Sequence, residues 1–133
     1  MVTLGFVVAQ FNRSVTEEMA ETARDAAAER DAEIAETLRV PGAYDSPLAA
    51  DRLARREAID AVVVIGAIVT GDTDHDRVIA QSAADGLTEV SLKRDTPVAF
   101  GVSGPGMSGA EARERVVKGA EAVDAAIDLV EEL

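Results

Sequence analysis

The chain contains no cysteine. Disulfides, thiolate catalysis and Cys-based zinc sites are therefore excluded. It contains one histidine, so any imidazole chemistry has a single candidate, His75. No apolar run approaches the ~18–20 residues that a membrane span needs, and the opening Met1-Val2-Thr3-Leu4 lacks the basic region of a secretory leader. A soluble, cytoplasmic protein is expected. Lysine is nearly missing as well: only Lys93 and Lys118 stand among 13 basic residues, against 25 acidic ones, for a formal net charge of −12. Such a surface repels phosphate backbones and anionic lipid, so neither nucleic acid nor membrane is expected as a partner. Aromatics amount to 3% while alanine occurs 25 times. Acid-rich, lysine-poor and alanine-rich together read as adaptation to a salty cytoplasm, where screening weakens the self-repulsion of the folded state.

What is present is material for one core. At 133 residues the chain matches a single domain of roughly 100–150 residues. Hydrophobic residues at 47% and charged ones at 29% exclude a disordered tail. Thr3 to Ala9 is a short apolar, β-branched run that predicts a buried strand. Ser14-Val15-Thr16-Glu17 has the pattern of a capping box, and Val15, Met19, Ala23 and Ala26 then recur at helical spacing to about Arg30. Ile34 to Val40 predicts a second strand ending at the turn signal Pro41-Gly42. Ser46-Pro47 opens a second helix, with proline in the first turn where its missing N–H does no harm. Ile59 to Val69 is the most hydrophobic stretch and predicts a central parallel strand buried on both faces, broken at Gly71. A third helix is expected from about His75 to Leu92, and a fourth strand from Pro97 to Val102. Ser103-Gly104-Pro105-Gly106 then reads as a loop, and Ser108-Gly109-Ala110-Glu111 as another capping box. A last helix carries Val116, Ala120, Val123, Ile127 and Val130.

Strands alternating with helices predict an α/β fold: a flavodoxin-like three-layer α/β/α sandwich on a four-stranded parallel sheet. Ligands in such folds bind at the carboxyl ends of the strands. Four segments occupy those ends: Gln10 to Arg13, Pro41 to Asp45, Gly66 to His75, and Val102 to Met107. Gly71-Asp72-Thr73 lies between the central strand and a helix, where backbone N–H groups and the helix dipole favour an anion. On these residues alone, ordinary strand termination and helix capping is the favoured reading. Asp72, Asp74 and Asp76 flank His75, but at a helix start such positions point in different directions, so no metal site is expected.

As a set, the strand-end motifs are specific: Phe11-Asn12, then Val40-Pro41-Gly42-Ala43-Tyr44-Asp45-Ser46-Pro47, then Gly66-Ala67-Ile68-Val69-Thr70-Gly71-Asp72-Thr73-Asp74-His75, then Pro97-Val98-Ala99-Phe100-Gly101-Val102. Over essentially its whole length the chain resembles the lumazine synthase family, and Gly-Pro-Gly-Met with Glu114-Arg115-Val116 resembles its archaeal branch. The resemblance implies condensation of 5-amino-6-(D-ribitylamino)uracil with 3,4-dihydroxy-2-butanone 4-phosphate, with no metal and no cofactor. It implies His75 as general acid/base, and Asp72, Thr73 and Arg115 as ligands of the phosphate substrate. It implies that Phe11 stacks on the uracil, that Ala43, Tyr44 and Asp45 meet the ribityl chain, and that the Ala67, Ile68 and Val69 backbone meets the pyrimidine edge. Phe100 joins this substrate site. Many family members have Glu at the position of Asp45; Thr70 stands where a basic residue is often found, and Asp76 where an aromatic is common. The resemblance further implies a homo-oligomer, a pentamer or larger, in which Phe100 and Arg115 complete the site of a neighbouring copy.

Three alternatives follow from the same architecture. An archaeal-type riboflavin synthase shares the fold, but it has no phosphate to bind, so the Gly71 to His75 run disfavours it. A phosphoreceiver needs an acidic residue at the end of its central strand, where this chain has Gly66-Ala67. A flavin mononucleotide module wants a hydroxyl- and glycine-rich loop after the first strand, where this chain has Gln10-Phe11-Asn12.

Overall fold

Four apolar runs become four parallel strands. The computed structural model describes residues 1–71 and 73–133. It contains β1 (Thr3–Ala9), α1 (Arg13–Glu29), β2 (Glu33–Val40), a 3₁₀ turn (Ala43–Asp45), α2 (Ser46–Ala54), β3 (Ala61–Val69), α3 (His75–Arg94), β4 (Val98–Met107), α4 (Gly109–Glu114) and α5 (Lys118–Glu132). The sheet order is β2-β1-β3-β4 and every pairing is parallel. This is the flavodoxin-like order, whose switch point lies between β1 and β3.

Period-two alternation sorts the strand side chains between two helical layers. Leu4, Phe6 and Val8 of β1 and Ala61, Val63 and Ile65 of β3 pack with Met19 and Ala23 of α1 and with Val123 and Ile127 of α5. On the opposite face Val7, Val62 and Val64 pack with Leu53 of α2 and with Leu87 and Val90 of α3. β3 is covered on both sides and stays buried from Ala61 to Ile68, which is why its sequence is apolar without interruption. Carboxylates tie the outer elements to this frame. A hydrogen bond from Arg94 of α3 at 2.8 Å holds the Asp51 carboxyl of α2 below its ordinary range, and one from Arg39 of β2 at 3.1 Å does the same for Glu17 of α1.

Three local expectations are corrected. The Ser14 capping box does not form. The cap of α1 is Asn12, in the left-handed region at φ 62°, and its carbonyl accepts from the Val15 and Thr16 amides. Asparagine tolerates that conformation better than most residues, so α1 starts earlier than the Ser-x-x-Glu pattern indicates. The expected loop at Ser103 to Gly106 is part of β4. The strand leaves its ladder after Ser103, opposite Ala67, and rejoins at Met107, opposite Val69. Gly104 to Gly106 form a bulge there, with Gly104 at φ 91° and Gly106 at φ 80°. A Cβ on Gly104 would run into the Ile68 carbonyl oxygen.

The expected last helix is two. The Ser108–Glu111 capping box closes at both ends, each bond 3.1 Å, and opens α4. The chain then turns through Arg115 to Val117 by three-residue hydrogen bonds, Lys118 N–H to Arg115 and Gly119 N–H to Val116. The break seats α5 against α1: a Cβ on Gly119 would meet the Met19 carbonyl, and the Thr22 hydroxyl donates to the Val116 carbonyl at 2.9 Å. Val116, Ala120 and Val130 still face the core, so the apolar periodicity crosses a joint it does not reveal.

Candidate active site

A cavity of about 390 Å³ opens at the carboxyl ends of β1 and β3, the switch point of the sheet. One wall is the end of β1 with Ala9, Phe11 and Asn12. Phe11 is 74% exposed, so its ring is presented to the opening rather than used in the core. The ladder between β1 and β2 continues past both strands, Gln10 N–H to Val40 at 2.8 Å and Phe11 N–H to Pro41 at 2.9 Å. That continuation carries the second wall, Gly42, Ala43 and Tyr44, up beside Phe11. The 3₁₀ turn is fixed by the buried Ser46 hydroxyl, which donates to the Ala43 carbonyl at 2.7 Å.

The floor is the end of β3, Ala67, Ile68 and Val69. β1 pairs with β3 only as far as Ile65, so beyond that residue the edge of β3 has no strand on the β1 side. Asn12 supplies one partner: its Nδ2 donates to the Ala67 carbonyl at 2.8 Å. The remaining backbone of this edge lies where a flat heterocycle with alternating donors and acceptors would enter.

The third wall is Thr70, Gly71, Thr73 and the first turn of α3 with His75, Asp76 and Ile79. His75 is exposed at the first position of a 20-residue helix, and its backbone N–H donates to the Thr73 hydroxyl at 3.2 Å. The positive end of the helix dipole therefore opens on the cavity, next to the imidazole.

Eight residues singled out in the sequence share this cavity: Phe11, Ala43, Tyr44, Ala67, Ile68, Val69, Thr73 and His75. Asp72 lies outside the described residues. Asp45 does not line the cavity; its Oδ2 accepts from the Gly42 amide at 3.0 Å. Phe100 is 37% exposed in a groove between α3 and β4 with Leu87, Leu92 and Val98. Arg115 stands at the joint of α4 and α5, not within a helix, and its guanidinium lies 3.4 Å from Glu111. It borders a separate pocket with Lys118 and Ser103, whose buried hydroxyl has no hydrogen-bond partner among the described residues. Within one copy of the chain, Phe100 and Arg115 thus stand apart from His75.

A family model described as 6,7-dimethyl-8-ribityllumazine synthase matches residues 1–133. The chain belongs to that family. A relative bearing this name from Halorubrum lacusprofundi is 74% identical over 133 residues, which is 100% of this chain and 99% of the relative. One from Halobacterium salinarum is 73% identical and covers both chains completely. One from Methanoculleus marisnigri is 49% identical over 132 residues, covering 99% of this chain and 98% of the relative. Membership in the family leaves two residues of this site that sequence reasoning missed, Asn12 and Asp76. An asparagine directly before a helix was the available signal for the first. For the second the signal was its departure from the aromatic common at that position, which was set aside because an aspartate in a first helical turn is ordinary.

Proposed function

We propose that this protein condenses 5-amino-6-(D-ribitylamino)uracil with 3,4-dihydroxy-2-butanone 4-phosphate to give 6,7-dimethyl-8-ribityllumazine, releasing phosphate and water. The observation that carries the reading is the shared cavity: an exposed ring at Phe11, the end of β3 from Ala67 to Val69 beyond its pairing with β1, and His75 at a helix N-terminus border one space. The uracil stacks on Phe11, with its edge toward the β3 backbone and its ribityl chain toward Ala43, Tyr44 and Asp45. The phosphate lies at the start of α3 against Asp72 and Thr73. The primary amine adds to the ketone with loss of one water, phosphate is then eliminated, and the second amine adds to the remaining carbonyl and closes the ring with loss of a second water. Every one of these steps moves a proton, which suits one imidazole acting alternately as acid and base. His75 has that role.

A phosphate dianion also needs a cation. None of the described residues lining the cavity is an arginine or lysine. Arg115 of a neighbouring copy meets this need, and Phe100 of the same neighbour closes over the uracil. The working form is a homo-oligomer, which the resemblance to the family makes a pentamer or larger, acting on two small molecules in the cytoplasm without nucleic acid or membrane. Among the described residues no helix is long and apolar enough to cross a membrane. The net charge of −12 with two lysines supports a salt-adapted protein, whose unfolding midpoint should rise between low and multimolar salt. A flat or falling midpoint would refute that adaptation.

Supplying both substrates and following lumazine fluorescence tests the activity. Conversion of lumazine alone into riboflavin, with no condensation, would overturn it. Arg115→Ala should raise the KM for the butanone phosphate far more than that for the uracil, because a charge-assisted contact to phosphate is lost. Arg113→Ala, in the exposed last turn of α4, should change neither. Equal effects of the two substitutions would remove Arg115 from the site.

A further inference from the structure

Asp76 is 7% exposed, the one charged residue that is buried among the described residues. It follows His75 directly, lines the same cavity, and its Oδ2 accepts a hydrogen bond from the Gly106 amide at 3.2 Å. Gly106 belongs to the bulge of β4, where three residues stand opposite the single residue Ile68. A bulge takes backbone groups out of the ladder, and a part-buried N–H left without a partner is unfavourable. Asp76 provides that partner from a different element. On the other side of the bulge Gly104 packs so close to the Ile68 carbonyl that no side chain fits between them. One carboxylate thus links the first turn of α3, with His75, to the bulge and through it to the β3 edge.

We propose that Asp76 is a positioning residue for the reaction: by holding the Gly106 amide it fixes His75 relative to the end of β3, toward which the uracil edge is directed. The proposal rests on the role given above to His75. The bond needs an acceptor oxygen rather than a charge, which separates it from helix-dipole stabilisation. Asparagine at 76 keeps such an oxygen; alanine does not.

The test compares Asp76→Ala and Asp76→Asn in the full chain by steady-state kinetics and by hydrogen–deuterium exchange of the segment 103–107. Asp76→Ala should lower kcat by about tenfold with the KM for each substrate within about threefold, since a misplaced catalytic group affects turnover before binding. Asp76→Asn should recover most of that loss. Exchange at the segment should accelerate in the alanine variant and stay slow in the asparagine variant. Should Asp76→Ala fail to fold, Asp76→Ser, whose hydroxyl is too short to span the same distance, takes its place in both measurements. Wild-type kcat in the alanine or serine variant, or unchanged exchange, would overturn the proposal. So would an asparagine variant as slow as alanine, which would make the charge and not the bond the active feature. The exchange measurement needs no substrate, so it reports on the Asp76 clamp even if His75→Ala proves active and the role of His75 falls.

Discussion

His75→Ala should lower kcat by roughly a hundredfold, the lower end of the ~10²–10⁴ range for general acid/base groups, and leave both KM values nearly unchanged. Much acceleration survives the substitution because holding two reactants together is itself a large part of catalysis. The fold should survive too. The imidazole is exposed, and the bond that His75 makes to Thr73 uses its backbone N–H, which alanine retains. Alanine is also a strong helix former at the start of α3. The measurement is lumazine production under saturation with both substrates, alongside a thermal unfolding curve to verify that stability is unaltered. Turnover equal to wild type would reduce His75 to a surface residue of a helix N-terminus and shift the proton transfers to substrate phosphate and water.

The strands and the site were legible to different degrees, and for physical reasons. β3 could be read because a strand covered on both faces has to be apolar throughout, and its neighbours alternate only within that constraint. The strand-end rule then named four segments, of which the three after β1, β2 and β3 line the cavity and Val102 to Met107 does not; only the strand order singles out the switch point between β1 and β3. Local signals failed where two of them competed. Ser14-x-x-Glu17 satisfies the capping pattern, yet Asn12 already caps α1 by its carbonyl, and its side chain crosses to Ala67. No periodicity encodes a bond between residues 55 positions apart. The Gly104-Pro105-Gly106 run reads as a loop by composition, but its glycines serve a strand that bulges around the Ile68 carbonyl. The joint at Arg115 is hidden because turns on either side of it keep the apolar residues in phase. That joint is what removes Arg115 from a helix face and leaves it beside Ser103 and Lys118.

Refolding His75→Ala and Arg115→Ala together should yield activity well above that of either parent alone, the most direct consequence of a site shared between copies. In one chain the two residues border different pockets, His75 the cavity at the switch point and Arg115 the pocket beside Ser103. On the proposed shared site, a head-to-tail contact whose rotation closes would place the second pocket of each copy against the first pocket of the next. In a random equal mixture, a site has an intact His75 when its own copy is the arginine variant, and an intact Arg115 when the neighbour is the histidine variant. Both conditions hold at about one quarter of the interfaces of a ring. The mixture should therefore recover about a quarter of wild-type turnover at low butanone phosphate, where each parent is slow. Rings verified as mixed that show only the average of the two parents would place His75 and Arg115 in the site of a single copy. The shared site would then fail, and with it the requirement for an assembly larger than one chain.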